Sequence, residues 1–148
     1  MKRTPLTTLA LLVLSAAANY PAYAASAEVV NIVLKEWSVL ADKTTVRAGA
    51  ITFRAENRGK EEHELVIFKT SHPHDALPLT QANEKVNEKA GGEVIGKIEP
   101  FPPGRGQEGT FTLSPGRYVL LCNIVEKEEN GEIESHYEEG MHIDFTVK

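Results

Sequence analysis

The chain has 148 residues, of which 41% are hydrophobic and 25% are charged. This is the composition of an ordinary globular domain and excludes a largely disordered chain, and the length fits one domain. The formal net charge is −5. A negative surface is a poor match for nucleic acid or for an anionic membrane, so we expect neither as a partner.

The first 24 residues have a different character from the rest of the chain. Lys2 and Arg3 precede an apolar run at residues 6–18, and small residues flank Tyr23 at the end of the segment. This is the layout of a secretory signal peptide. We therefore expect residues 1–24 to be a cleaved signal.

The expected mature chain is a single domain of residues 25–148, with Ala27 as a second possible end of the signal. A signal implies a periplasmic or otherwise exported protein. The apolar run is too short to cross a bilayer comfortably, so we expect no stable membrane insertion after cleavage. An uncleaved anchor is the alternative.

The pattern after the signal is that of short strands, taken here in chain order. Val30, Ile32 and Leu34 alternate in the first. In a later one, Ile51, Phe53, Ala55 and Asn57 lie on one face. Further strands are predicted at residues 63–68, 110–113, 117–122 and 141–147. The sequence predicts an all-β protein.

The region from residue 71 to residue 107 is less regular. Residues 81–90 are compatible with a short polar helix ended by two glycines, and prolines at 100, 102 and 103 indicate an irregular connection. No internal repeat is visible. One β-sandwich with an irregular, partly helical crossover is the simplest prediction.

The single cysteine, Cys122, cannot form an internal disulfide. Taken alone it could be a small buried hydrophobic residue, one half of an intermolecular disulfide or a metal thiolate. Its neighbours favour the last role. His63 begins a predicted strand, Cys122 ends another and Met141 begins a third, so antiparallel pairing would bring them to one end of the sandwich. His136 lies in the loop between two of these strands.

Two imidazoles, one thiolate and one thioether suit copper, because soft sulfur favours Cu(I) and imidazole binds both oxidation states. Structural zinc would use further thiolates or histidines in place of methionine. Each residue also has a structural alternative. Met141 is in phase with core positions of the last strand, whereas His142 is out of phase and is expected to face solvent. His72 and His74 could form at most a weak second copper or zinc site.

Three segments resemble the ligand segments of plastocyanin and azurin-like cupredoxins. They are NRGKEEHELVI at 57–67, PGRYVLLCN at 115–123 and HYEEGM at 136–141. The resemblance implies a Greek-key β-sandwich with one copper ion that cycles between Cu(I) and Cu(II), a type 1 blue copper electron carrier without catalytic residues. It implies His63, Cys122, His136 and Met141 as ligands, with His136 as the electron port. It also implies Asn57, Glu64 and Asn123 as residues that support the ligands.

One feature departs from the family pattern. Thirteen residues separate Cys122 from His136, where most members have only a few. The insertion is rich in glutamate, with a turn predicted at residues 130–131. We expect it to be a docking loop for a basic redox partner, such as a c-type cytochrome, through Glu126, Glu128, Glu129, Glu132 and Glu134. The alternative is that Glu134 binds the metal.

Three other functions compete with electron transport. A copper-binding or copper-delivery protein of the same fold would need no redox cycle, but extra methionines are lacking, since only Met141 remains after the signal. A metal-free adhesion module is the second. An enzyme is disfavoured, because a substrate-reducing copper enzyme needs a second centre or an open position. We expect a monomer.

Overall fold

The computed structural model describes residues 27–81 and 84–148, so the expected signal peptide lies outside the described residues. The described chain is all-β, as predicted. Its strands are β1 (Glu28–Lys35), β2 (Ser38–Ala41), β3 (Thr45–Val46), β4 (Gly49–Asn57), β5 (His63–Thr70), β6 (Gly92–Phe101), β7 (Gly106–Leu113), β8 (Gly116–Leu121), β9 (Val125–Lys127), β10 (Ile133–Ser135) and β11 (His142–Val147). Within these residues, no helix has the length and apolarity needed to span a membrane.

The strands form two layers. One sheet has the order β2-β1-β4-β7 and the other the order β3-β11-β8-β5-β6. In the first sheet β1 pairs with β4 in parallel. In the second, β8 pairs antiparallel with both β5 and β11. This antiparallel arrangement places the start of β5, the end of β8 and the start of β11 at one end of the sheet, as the sequence predicts.

The main core lies between the two sheets. The alternating residues of β1 and β4 that were predicted to share a face are buried there, with Phe53 against Phe145 of β11 at a ring-centroid distance of 5.6 Å. Burial of such side chains stabilises the fold by roughly 1.5–3 kcal/mol each. The alternating pattern therefore predicts correctly which residues of β1 and β4 are buried in the core.

The segment between β5 and β6 is not helical, so the helix expected at residues 81–90 is wrong for the described part of that range. Leu79 instead makes an isolated antiparallel bridge with Val86. The N–H and C=O of Val86 bond the side chain of Asn123. These tertiary hydrogen bonds, together with the burial of Val86, outweigh the weak helical propensity of the polar segment.

This segment covers the outer face of the second sheet. It contributes to a smaller apolar cluster made of Val66, Phe68, Leu77, Val86, Val119, Leu121 and Tyr137. Strands β5 and β8 are consequently buried on both faces. A strand with two buried faces holds its side chains firmly, which matters because β5 and β8 carry two of the predicted ligands.

The inserted loop is a small hairpin. Strands β9 and β10 pair antiparallel, with Glu134 opposite Glu126. The chain reverses at the predicted turn, where Gly131 has a positive φ of 89° that favours glycine. We call residues 125–135 the acidic hairpin.

Candidate metal centre

Strand polarity and loop hydrogen bonds bring the four predicted ligands to one end of the sandwich. His63 is the first residue of β5, Cys122 follows β8 and Met141 precedes β11. The N–H of Cys122 donates to the C=O of Met141 at 3.0 Å, and the N–H of Met141 donates to the C=O of His136 at 2.9 Å. The N–H of His136 donates to Ile124 at 3.0 Å, which closes the loop after the acidic hairpin.

Three of the side chains converge on one point. The Nδ1 atoms of His63 and His136 are 3.3 Å apart, and Cys122 Sγ lies 3.4 Å from Nδ1 of His136. One donor atom from each residue lies within 4.8 Å of the other two. The three residues and Met141 have no solvent exposure.

The arrangement fits a metal ion. Two nitrogens bound about 2.0 Å from one ion and spread at roughly 120° would lie about 3.5 Å apart, close to the observed spacing. Two imidazole nitrogens and one thiolate are the donor set of a trigonal copper site. The cluster of His63, Cys122 and His136 is therefore able to hold a metal ion.

In the absence of metal, burial keeps these groups neutral. It raises the pKa of Cys122 to about 12, although N–H groups of Glu64 and Ile124 act against it. Burial, with a contribution from His63, lowers the pKa of His136 to about 4. The pKa of His63 is also lowered by burial. The imidazoles are thus ready to bind a metal, and binding to the thiol must release a proton.

The residues expected to support the ligands lie next to them. The N–H of Glu64 points at Cys122 Sγ over 3.5 Å. Asn57 is fully buried, and its Nδ2 donates to the carbonyls of Glu61 and Phe101 at 2.7 and 2.9 Å. It thereby joins the end of β4 to the segment that leads into His63.

Asn123 joins the strand of Cys122 to its surroundings. Its N–H donates to Glu64 Oε1 at 3.2 Å, and its Nδ2 donates to Glu88 Oε1 at 2.8 Å. Together with its two bonds to Val86, these contacts fix the residue after the cysteine on both sides. Glu64 and Asn123 are thus joined to each other beside Cys122, whereas Asn57 supports the segment that leads into His63.

The remaining histidines have different partners. His142 does not face solvent as expected, because it is half-buried and packs against the tilted ring of Tyr137, with centroids 4.7 Å apart. Its Nδ1 lies 2.6 Å from Nδ1 of His74. His74 thus pairs with His142, and neither it nor His72 belongs to a three-residue metal cluster among the described residues.

Carboxylates gather on the outer side of His136. Glu61 Oε2 lies 3.6 Å from Nε2 of His136, and Glu134 completes a group of possible donors there. Burial, reinforced by Glu134 and other nearby carboxylates, raises the pKa of Glu61. Glu134 is not part of the His63–Cys122 group.

Two residues at the site were missed from the sequence. Glu36 and Trp37 form the turn between β1 and β2. Glu36 Oε1 lies 3.1 Å from Nε2 of His63, and the Trp37 ring meets the His136 ring edge-on at 5.2 Å. The only signal available was a lone tryptophan placed between two alternating runs.

No protein-family model and no curated protein matches the chain. Several solved structures are similar to it. An auracyanin from Roseiflexus castenholzii is 24% identical, with a TM-score of 0.57 over 82% of this chain and 98% of its own. Rusticyanin from Thiobacillus ferrooxidans is 16% identical, with a TM-score of 0.54 over 83% of this chain and 79% of its own. Auracyanin A from Chloroflexus aurantiacus, described as a "blue" copper protein, is 20% identical, with a TM-score of 0.50 over 81% and 99%. The chain has the cupredoxin β-sandwich fold.

Proposed function

We propose that the protein is an exported mononuclear copper protein that carries one electron, with His63, Cys122, His136 and Met141 as its ligands. One observation carries the proposal. Two imidazole nitrogens and one cysteine sulfur converge within 4.8 Å in a fully buried position, beside a buried methionine. Auracyanin A, which has this fold, is described as a "blue" copper protein.

Copper would supply a reversible one-electron couple between Cu(I) and Cu(II). The contribution of the protein is a frame that changes little between the two states. His63 and Cys122 stand at the ends of strands that are buried on both faces, and Asn57 and Asn123 fix the adjoining backbone. Fixed ligand positions lower the rearrangement that each transfer requires.

Burial favours electron transport over copper delivery. A delivery protein must expose its metal to an acceptor, whereas the four proposed ligands have no solvent exposure. An electron, by contrast, can cross a layer of side chains. His136 lies beside the carboxylates of Glu61 and Glu134, and the Trp37 ring meets its ring edge-on. We therefore propose that the electron leaves through His136 and the side chains beside it, because the imidazole itself is not exposed.

The acidic hairpin is the proposed docking element. Glu126, Glu128 and Glu134 lie close enough to the site that their charges act to raise the pKa of Glu61. Negative charge near the metal centre would attract a basic redox protein, such as a c-type cytochrome, and would raise the rate of association between the two proteins.

Addition of Cu(II) to the purified protein tests the metal centre. The native protein should develop an intense visible thiolate-to-copper band, because only a thiolate donor produces it. Cys122→Ser should abolish the band, whereas the control His72→Ala should keep it. A native complex without this band would refute the proposal.

A further inference from the structure

Glu36 contacts a proposed ligand on the side of the ring that faces away from the metal position. Its Oε1 lies 3.1 Å from Nε2 of His63, whose Nδ1 faces His136. If Nδ1 gives its lone pair to a metal, the proton of the neutral ring resides on Nε2. The Nε2–H group of His63 then donates a hydrogen bond to Oε1 of Glu36.

The carboxylate is held in place by its surroundings. Oε1 of Glu36 also accepts hydrogen bonds from the N–H groups of Lys60 at 2.7 Å and Glu61 at 3.0 Å. Two backbone N–H groups therefore fix the position of the carboxylate that meets His63.

Gly59 leaves the space that this contact needs. A Cβ at position 59 would collide with Oε1 of Glu36 and would lie 2.7 Å from Nε2 of His63. Asn57 holds Gly59 in this position by accepting its N–H at 2.9 Å. The glycine, the carboxylate and the imidazole thus form one closely fitted contact.

The second histidine has no equivalent partner. Among the described residues, Nε2 of His136 and Oε2 of Glu61 are both buried without a hydrogen bond, and they lie 3.6 Å apart. That distance is too long for a direct hydrogen bond. The two proposed imidazole ligands are therefore held unequally.

We infer that Glu36 is a positioning residue that orients His63 and sets the reduction potential of the metal centre through a carboxylate–histidine–metal relay. The inference rests on the proposed copper site. An anionic acceptor makes the imidazole a stronger donor. Stronger donation favours Cu(II) over Cu(I), because Cu(II) carries the larger charge. Glu36 thus lowers the potential of this centre.

Glu36→Gln tests the relay, because it keeps the shape of the side chain and removes its charge. Loss of such a partner typically costs about 10–100-fold in metal affinity. We expect Cu(II) affinity to fall by that factor and Cu(I) affinity to fall less. Each tenfold difference between the two losses raises the potential by about 59 mV for one electron.

The matched control is Glu126→Gln. It removes a carboxylate whose charge also acts on His63 but which makes no hydrogen bond to it. We expect a clearly smaller rise in potential than for Glu36→Gln. An equal rise in potential in the two variants would overturn the inference, since the loss of one nearby negative charge would then explain the whole effect. Should Glu36→Gln fail to fold, Gly59→Ala displaces the carboxylate from the other side and should also raise the potential.

Two further measurements separate this inference from the proposed function. In the diamagnetic Cu(I) protein, the Nε2 proton of His63 should exchange slowly in NMR spectra and should exchange rapidly in Glu36→Gln. With Zn(II), the same 10–100-fold loss of affinity is expected whether or not copper gives a blue complex. Unchanged Zn(II) affinity in the variant would contradict the relay. A native protein without the visible copper band would instead contradict the function.

Discussion

Met141 is the proposed ligand whose role depends most on its local surroundings. It is fully buried and packs in the core between the sheets, and its backbone bonds both Cys122 and His136. These two backbone contacts would hold the residue beside the metal position even if the sulfur were only a weak donor. We therefore propose that Met141 would be a weak donor, which would adjust a copper site held by His63, Cys122 and His136.

Met141→Leu should keep the copper and raise the reduction potential. A weak axial thioether mainly stabilises Cu(II), and the axial ligand tunes the potential. Leucine has a similar volume, so the cost to folding should be below about 1.5 kcal/mol. Voltammetry of the copper-loaded variant measures the shift. Complete loss of copper would mean that Met141 is a principal ligand or that its packing holds the site together.

The segment between β5 and β6 is the element that the sequence describes least well. It covers the outer face of the second sheet and is tied down by Tyr137. The N–H of Leu77 donates to Tyr137 Oη at 2.9 Å, and Oη donates to the carbonyl of His74 at 2.8 Å. One hydroxyl thus serves two backbone groups.

Tyr137→Phe should lower the free energy of unfolding by about 1–3 kcal/mol, because it leaves a buried N–H and a carbonyl without their partner. Urea unfolding of the metal-free protein measures this change. The visible spectrum of the copper form should be unchanged, since Tyr137 is not a proposed ligand. An unfolding free energy equal to that of the native protein would show that the segment is not held by this contact.

The acidic hairpin should affect the rate at which a redox partner binds, and should not affect the metal site. Replacing Glu126, Glu128, Glu129, Glu132 and Glu134 by glutamine should preserve the visible band and slow electron transfer to a basic cytochrome at low salt. The effect should vanish at high salt, because charge is screened over about 8 Å even at physiological ionic strength. Stopped-flow kinetics against salt concentration measures it.

Glutamates outside the hairpin provide the control for net charge. Replacing Glu28, Glu93 and Glu108 by glutamine should slow transfer much less. A changed spectrum with unchanged rates in the hairpin variant would instead favour Glu134 as a metal ligand.

At the scale of the whole molecule, Glu88 connects β6, the preceding segment and the strand of Cys122. Its Oε1 accepts from Lys97 Nζ at 2.7 Å and from Asn123 Nδ2 at 2.8 Å. Burial acts to raise the pKa of Glu88, but these bonds outweigh it and lower the pKa. A carboxyl whose pKa is lower in the folded state stabilises the fold above its unfolded pKa and loses that contribution as the pH falls.

Glu88→Gln should therefore reduce stability at pH 7. The native protein should lose this advantage below about pH 4.5, as Glu88 takes up a proton, so the two stability curves should converge in acid. Urea unfolding of the metal-free proteins between pH 7 and pH 3 measures both effects, with the exposed Glu93→Gln as control. Parallel curves over the whole range would contradict the role of Glu88.

The sequence predicts the sandwich well where one face of a strand is buried. Val30, Ile32 and Leu34 alternate with less buried residues, and the structure buries all three. The position of His63 and Cys122 at one end of the sandwich could also be predicted, because it depends only on strand polarity. The helix at residues 81–90 was wrong, because the bonds from Asn123 to Val86 are tertiary and leave no periodic signal.

The contacts of Glu36 and Trp37 could not be predicted for a similar reason. They lie in a two-residue turn, and their position over the histidines depends on how the two sheets pack. Gly59 gives no sign in the sequence that a carboxylate approaches it. Side-chain contacts between distant loops have no period. The sequence therefore indicates the proposed ligands and, through the resemblance, Asn57, Glu64 and Asn123 beside them, but not the contacts of Glu36 and Trp37.

Redox titration of the copper-loaded protein is the most direct test of whether the proposed copper centre carries one electron. The visible band should disappear on reduction and return on oxidation along a single one-electron curve, with copper retained throughout. Release of copper on reduction, or a band that does not return, would contradict electron transport and favour copper delivery.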